Sequence, residues 1–143
     1  MSSNQFSTFW VDERLYGVNI QMVQEITKSM NVTDVPLAPN FIKGLINLRG
    51  QIATAVGLKE LFELPASDTE SGKINVVCKS ESYLISLVVD EVGDVLELED
   101  HQFEMTPETV SPKVARFMTG VYKLPNNLLS VIDIKKVIDF LNV

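Results

Sequence analysis

The chain is poor in the residues that most often do chemistry. It has one cysteine, Cys78, and one histidine, His101. A single cysteine excludes an internal disulfide and fits a reducing compartment. A single histidine with no second soft ligand beside it cannot build a zinc site. Neither G-x-S-x-G, nor a glycine-rich phosphate loop, nor H-E-x-x-H occurs, so no hydrolase, nucleotide or metalloprotease signature is present. No apolar run approaches the roughly 20 residues of a membrane-spanning helix. The N-terminal stretch has no basic segment leading into an apolar one, so cytoplasmic residence is expected. Cations are few as well, with 12 Lys and Arg against 19 Asp and Glu and a net charge of −7. That balance, with no basic cluster, excludes the usual electrostatic route to nucleic acid. Between Lys79 and Lys113 there is no Lys or Arg, while nine acids fall there, from Glu81 to Glu108. Such a stretch is either a solvated acidic face or a surface that steers a basic partner.

What the chain does have is a repeat. Phe41–Phe62 slides onto Phe117–Ile138 by 76 positions without a gap, and all 12 apolar positions of each stretch fall in register. Internal duplication therefore decides the fold class. Val11–Tyr16 echoes Cys78–Tyr83 at a shift of 67, and Val23-Gln24-Glu25-Ile26 echoes Val89-Asp90-Glu91-Val92 at a shift of 66.

Short apolar runs bounded by Gly, Asn and Pro predict strands and hairpins. The expected hairpins are Phe9–Ile20 around Asp12-Glu13-Arg14, Leu45–Val56 around Gly50-Gln51, Ile74–Val89 around Lys79–Ser82, and Val121–Ile132 around Pro125-Asn126-Asn127. Ile20, Val23, Ile26 and Met30 follow helical spacing and predict a short amphipathic helix. Leu58–Phe62 predicts one helical turn, and Ser111-Pro112 a second helix start. Asp133 is placed to cap a closing helix whose apolar face is Ile134, Val137, Ile138 and Leu141. Pro65–Gly72 is the expected linker. The reading is a mainly β single domain over 1–143, with lobes near 1–66 and 73–143, strands free to exchange between them, and an apolar seam where they pack. Neither lobe alone would bury much core.

The residues that could act are few. Cys78 lies in an apparent strand and reads as a buried thiol. Glu25 with Asp90 or Glu91 is the only carboxylate pairing that suggests itself. Gly44, Gly50 and Gly120 suit turns or close backbone approach.

Val23-Gln24-Glu25-Ile26, Pro36 and Pro39, Phe41-Ile42-Lys43-Gly44, Asn47-Leu48-Arg49-Gly50, Val89-Asp90-Glu91-Val92 and Gly120-Val121 stand in the order seen in CheW-like chemotaxis coupling proteins, which the chain resembles along nearly its whole length. The resemblance implies two SH3-like five-stranded β-barrels with a core between them. It implies a non-enzymatic scaffold without cofactor or metal. The implied partners are the regulatory domain of the CheA histidine kinase and the cytoplasmic tip of a chemoreceptor, with no nucleic acid and no membrane insertion. Location at membrane-bound receptor arrays would be indirect, through those partners. Val23, Glu25, Asn47 and Arg49 then fall on the receptor side. Arg49 offers a planar fork for carboxylates or carbonyls at a helix tip, or forms an internal salt bridge with Glu25; Val23 is groove surface or core. Two positions depart from the family pattern: Thr54 replaces a proline and Gly57 an aspartate. The alternatives are a CheW-like scaffold of a non-chemotactic array and, from another class, a small hydrolase or ligand-binding β-barrel.

Overall fold

In the computed structural model of the protein, residues 3–28, 31–65 and 74–141 are described. Most of the expected linker, 66–72, and Met30 of the expected helix lie outside them. The chain forms eleven strands and three short α-helices among the described residues. The strands are β1 (Ser3–Val11), β2 (Arg14–Asn19), β3 (Val23–Lys28), β4 (Ile42–Leu48), β5 (Gln51–Gly57), β6 (Ile74–Ser80), β7 (Tyr83–Val89), β8 (Glu91–Glu99), β9 (Phe103–Glu104), β10 (Met118–Lys123) and β11 (Leu128–Ile132). The helices are α1 (Leu58–Leu61), α2 (Pro112–Ala115) and α3 (Ile134–Leu141).

Two sheets result, rather than one strand set per half of the chain. A five-stranded sheet has the order β3-β6-β7-β5-β4, and a six-stranded one the order β8-β1-β2-β11-β10-β9. Each half lends its opening hairpin to the other half's sheet. The exchange is made by two parallel pairings, β5 with β7 and β11 with β2. The sixth strand, beyond the five expected, is the two-residue β9.

The 76-residue repeat is structural. β4 and β10 begin at Ile42 and Met118, and α1 and α3 at Leu58 and Ile134. A β-bulge interrupts both hairpins at the same place, between Ile42 and Gly44 and between Met118 and Gly120. The opening hairpins also superpose, but at a shift of 69 rather than 67. Their turns close on Val11↔Arg14 and Ser80↔Tyr83, and Tyr16 and Ile85 hold matching places in the parallel pairings. Side-chain likeness alone had aligned the turns two residues out of step.

Three turns differ from the expected ones: the first and third are tighter, the third closing on Glu81-Ser82 with Ser80 opposite Tyr83 rather than on Lys79–Ser82, and the second is shifted by one residue. Asp12 and Glu13 both have positive φ (51° and 68°), so the first hairpin closes through two residues, as a twist-matched hairpin demands. The second closes on Arg49 and Gly50 (φ 50° and 87°), not Gly50-Gln51, with Leu48 opposite Gln51.

The expected helix at Ile20–Met30 does not form. A single 3-10 turn at Ile20–Met22 leads into strand β3. The misreading has a physical cause. Gln24 is bulged, with Val23 opposite Cys78 and Glu25 opposite Val77. One extra residue converts the strand period of two into a spacing of three, so Val23 and Ile26 mimic a helix.

The main core lies between the sheets and draws on both, including Phe9, Val18, Val56, Leu87, Phe117 and Ile138. Six rings run through it in contact, Phe9–Tyr16–Phe62–Phe117–Phe140–Phe41, with centroid separations from 5.2 to 6.3 Å. Phe41 and Phe117, equivalent in the repeat, meet on Phe140. Two smaller clusters fill the far sides of the sheets, one around Phe6, Tyr122 and Leu129 and one around Ile46, Ala53 and Val77.

Candidate functional site

Gly44 and Gly120 show why the repeat keeps a glycine. A side chain on Gly44 (φ +142°) would strike Val32 and stand 2.5 Å from the Thr33 carbonyl oxygen; one on Gly120 would strike the Phe103 ring and stand 2.6 Å from the Glu104 oxygen. The obstacles correspond. Thr33 bridges to Leu45 on β4, and Glu104 pairs with Val121 on β10; the partners Leu45 and Val121 are again 76 apart. In each unit a crossing segment lies across the bare backbone of a glycine.

The tight second hairpin aims Arg49. Asn47 Oδ1 accepts the Gly50 N–H at 3.0 Å, bracing the turn. Arg49 Nη2 donates to Glu25 Oε1 in an ion pair. Glu25 stands on β3 and Arg49 follows β4, the opposite edges of the five-stranded sheet. The pair thus ties one edge of the sheet to the other. Arg49 remains 74% exposed at its side chain against 23% for Glu25, so the carboxylate is sheltered and most of the guanidinium faces water. Val23 is half-buried and packs on the main core. The second unit has no such pair: Pro125 stands in Arg49's place.

The alternative carboxylate pairing is not assembled. Asp90 Oδ2 accepts the Asp12 N–H at 2.8 Å and braces the first hairpin turn, while Glu25 is engaged with Arg49. Cys78 is fully buried, and burial pushes its thiol up to about 12; it is not a nucleophile at neutral pH. His101 is exposed, with Nδ1 3.0 Å from Glu99 Oε2. No group of three or more His, Cys, Asp or Glu among the described residues could hold a metal. Among the described residues no helix is long and apolar enough to cross a membrane. Asp133 Oδ1 accepts the Lys135 N–H at 2.9 Å at the start of α3.

Sequence reasoning overlooked an apolar rim. Val23 and Ile26 sit opposite Cys78 and Val76, and Val92 opposite Phe9, all members of the main core. Val95 sits opposite Ser7, on the same face of β1 as Phe9. Directly paired residues share a face, so all four side chains lie on the sides that the two sheets turn toward each other. Yet Ile26 is 42%, Val92 38% and Val95 54% exposed. The V-x-E-[IV] likeness at a shift of 66 is not structural: Val89 ends β7 whereas Val23 begins β3. At the 69-residue shift that relates β1 to β6, Val92 corresponds to Val23 and Val95 to Ile26, with a bulge between the two residues of each pair.

Gly57 and Thr54 carry the departures from the family pattern. Gly57 starts α1 with no side-chain cap. Lys43 Nζ reaches Glu60 Oε2 at 2.7 Å across the space a side chain there would fill, since a Cβ on Gly57 would strike the Glu60 carboxylate and lie 2.6 Å from Lys43 Cε. Thr54 is half-buried in β5, between Leu45 and Ile85.

Comparison with known proteins agrees with this geometry. Residues 5–141 match the family model described as the CheW-like domain. The chain is 31% identical over 134 residues to the chemotaxis protein CheW of Klebsiella aerogenes, covering 94% of this chain and 81% of that one. It is 29% identical over 136 residues to the CheW of Treponema pallidum, covering 92% and 80%. Among solved structures, the scaffolding protein TtCheW of Thermoanaerobacter tengcongensis superposes with a TM-score of 0.81 at 27% identity, covering 92% of this chain and 89% of that one. A doubled β unit sharing one core, with the N-L-R-G turn tied to the V-x-E strand, is therefore the local expression of a known architecture: the chain belongs to the CheW-like domain family.

Proposed function

We propose that the protein is a non-catalytic coupling adaptor of chemotaxis signalling, joining the cytoplasmic tip of a chemoreceptor to the regulatory domain of a CheA-type histidine kinase. The single observation that carries this reading is the exposure of Ile26 on β3 and of Val92 and Val95 on β8, apolar side chains on the sides of the two sheets that face the shared core. We take them as the rim of one groove, with the solvent-facing guanidinium of Arg49 on the same unit as Ile26. An apolar strip with one fixed fork of donors suits the end of a helical hairpin, whose turn exposes carbonyl oxygens and whose flanks are apolar. Val23, Glu25, Asn47 and Arg49 are assigned to that contact: Val23 as a wall, Arg49 as the donor, Glu25 and Asn47 as its supports. The relatives named as CheW and as a scaffolding protein support the assignment.

The work is done by binding alone. Two weak contacts on one rigid body raise the effective concentration of receptor and kinase for each other. The protein would act from the cytoplasm, recruited to receptors rather than inserted beside them. The test is co-sedimentation of a kinase regulatory fragment with receptor-bearing vesicles, with and without this protein. Recruitment that requires the protein supports the reading. Recruitment equal in its absence, or no binding of the protein to either partner, overturns it.

A further inference from the structure

β8 is the terminal strand of the six-stranded sheet and pairs only with β1 among the described residues. Its face toward the shared core is apolar at Val92 and Val95, and the next residue on that face is Glu97, opposite Gln5. Glu91, Asp94 and Glu97 are exposed and have no ion-pair partner among the described residues. Nearby acids are committed elsewhere. Asp90 braces the Asp12 turn, Glu99 holds His101 and the 3-10 turn at Asp100–Gln102, and Glu104 pairs with Lys123. Neither β8 nor its neighbour β1 contains a Lys, Arg or His. The opposite wall differs. On β3, Glu25 is matched by Arg49, and the strand ends at Lys28.

We propose that the two walls of the rim are charge-polarised and that the β8 wall receives a receptor helix bearing Lys or Arg beside its apolar contact residues. The proposal rests on the receptor reading above and adds which helix of the hairpin lies on which wall. Val92 and Val95 face Phe9 and Ser7, two residues apart on β1, so across the bulge between them they stand roughly 7 Å apart along the strand, a little over one helical turn. Glu97 follows about 7 Å further on, a little over one turn. A helix lying along β8 thus meets it with two apolar residues about one turn apart, then a cation in the next turn. The second helix of the hairpin, over β3, meets a wall with no net acidic excess. The polarity gives the hairpin one docking direction where the pseudo-symmetric apolar rim alone would allow two. Charges at such a rim act mainly on the association rate and on its salt dependence.

The experiment uses the full chain and a soluble cytoplasmic receptor fragment from the same genome, with binding measured at low and at high NaCl. Wild type, Glu97→Gln and the double variant Asp94→Lys/Glu97→Lys are compared, each after its thermal midpoint is shown to match wild type. At low salt the double variant is expected to bind about tenfold more weakly and Glu97→Gln about threefold, with both differences shrinking at high salt. Binding to the kinase regulatory fragment should not change. Wild-type binding with equal affinity and equal salt slope in the double variant overturns the polarity while leaving the receptor reading intact. Absence of any wild-type binding overturns the receptor reading and, with it, the polarity. Loss of kinase and receptor binding together would assign the acids to a general role, and the proposal fails.

Discussion

Arg49 and Glu25 stand on opposite edges of one five-stranded sheet and are joined by an ion pair. The sheet in the order β3-β6-β7-β5-β4 curls far enough to bring a side chain of its first strand within ion-pair reach of the turn that follows its last. The arginine is three-quarters exposed. A pair so open to water contributes only about 0.2–1 kcal/mol. Its value lies in direction: Glu25 holds one N–H of the fork and leaves the others facing outward.

Replacing Arg49 by Glu should therefore separate stability from binding. The thermal midpoint is expected to stay within a few degrees of wild type, since the lost pair is worth about 1 kcal/mol at most. Co-sedimentation with receptor vesicles should disappear. A midpoint that collapses with the binding would make Arg49 a brace of the fold and nothing more.

Gly44→Ala and Gly120→Ala should both destabilise, Gly44 the more. Each introduces a Cβ against a backbone oxygen of the crossing segment, and Gly44 adds a φ of +142°. Costs of about 1–3 kcal/mol are expected at Gly44. Urea unfolding of the two variants checks the order. Equal stability to wild type at Gly44 would mean the Thr33 segment moves aside freely.

Phe117 sits at the middle of the chain of rings that crosses the core. Truncation to Ala should cost about 3–5 kcal/mol. Phe41→Ala, at the equivalent position but only half-buried, should cost clearly less. Denaturant titration of both variants measures the asymmetry between the repeats.

Cys78 makes a pH prediction. Burial raises its thiol from an ordinary value of 9.0 to about 12. The folded state thus holds a proton that the unfolded state releases. The contribution is whole below about pH 9 and is lost progressively as pH rises toward 12. Stability should fall across that window in wild type and less steeply in Cys78→Ala, as unfolding curves at pH 8, 9.5 and 11 would show. Alkylation of the native protein at pH 8 should proceed only as fast as unfolding exposes the thiol.

Gly57→Asp restores the family's residue and should be nearly neutral, within about 1 kcal/mol. The carboxylate can cap α1, but its Cβ displaces the Lys43–Glu60 pair that now spans the site. Chemical denaturation of Gly57→Asp and of Gly57→Asp/Lys43→Ala would show whether the two devices substitute for each other.

Most strand segments, the four hairpins, the closing helix and the 76-residue duplication could be read from the chain alone. They rest on local rules, since alternation of apolar residues, turn residues and a cap are each written within a few positions. The V-x-E strand could not be read, because the bulge at Gln24 is a property of pairing with β6, and its apolar spacing by itself is that of a helix. The exchange of hairpins between sheets is likewise a matter of parallel pairing between segments some 30 and 114 residues apart (Thr54 with Ile85, Tyr16 with Ser130). Glu25 and Arg49 were both legible as polar residues in motifs, but their meeting depends on the curl of the whole sheet. The apolar rim is also tertiary: Val92 and Val95 have the same composition as core strand residues, and only the place where the two sheets stop covering each other leaves them at the surface. Local chemistry wrote the elements and their repetition; the packing of one sheet against another decided which of those residues remain available to a partner.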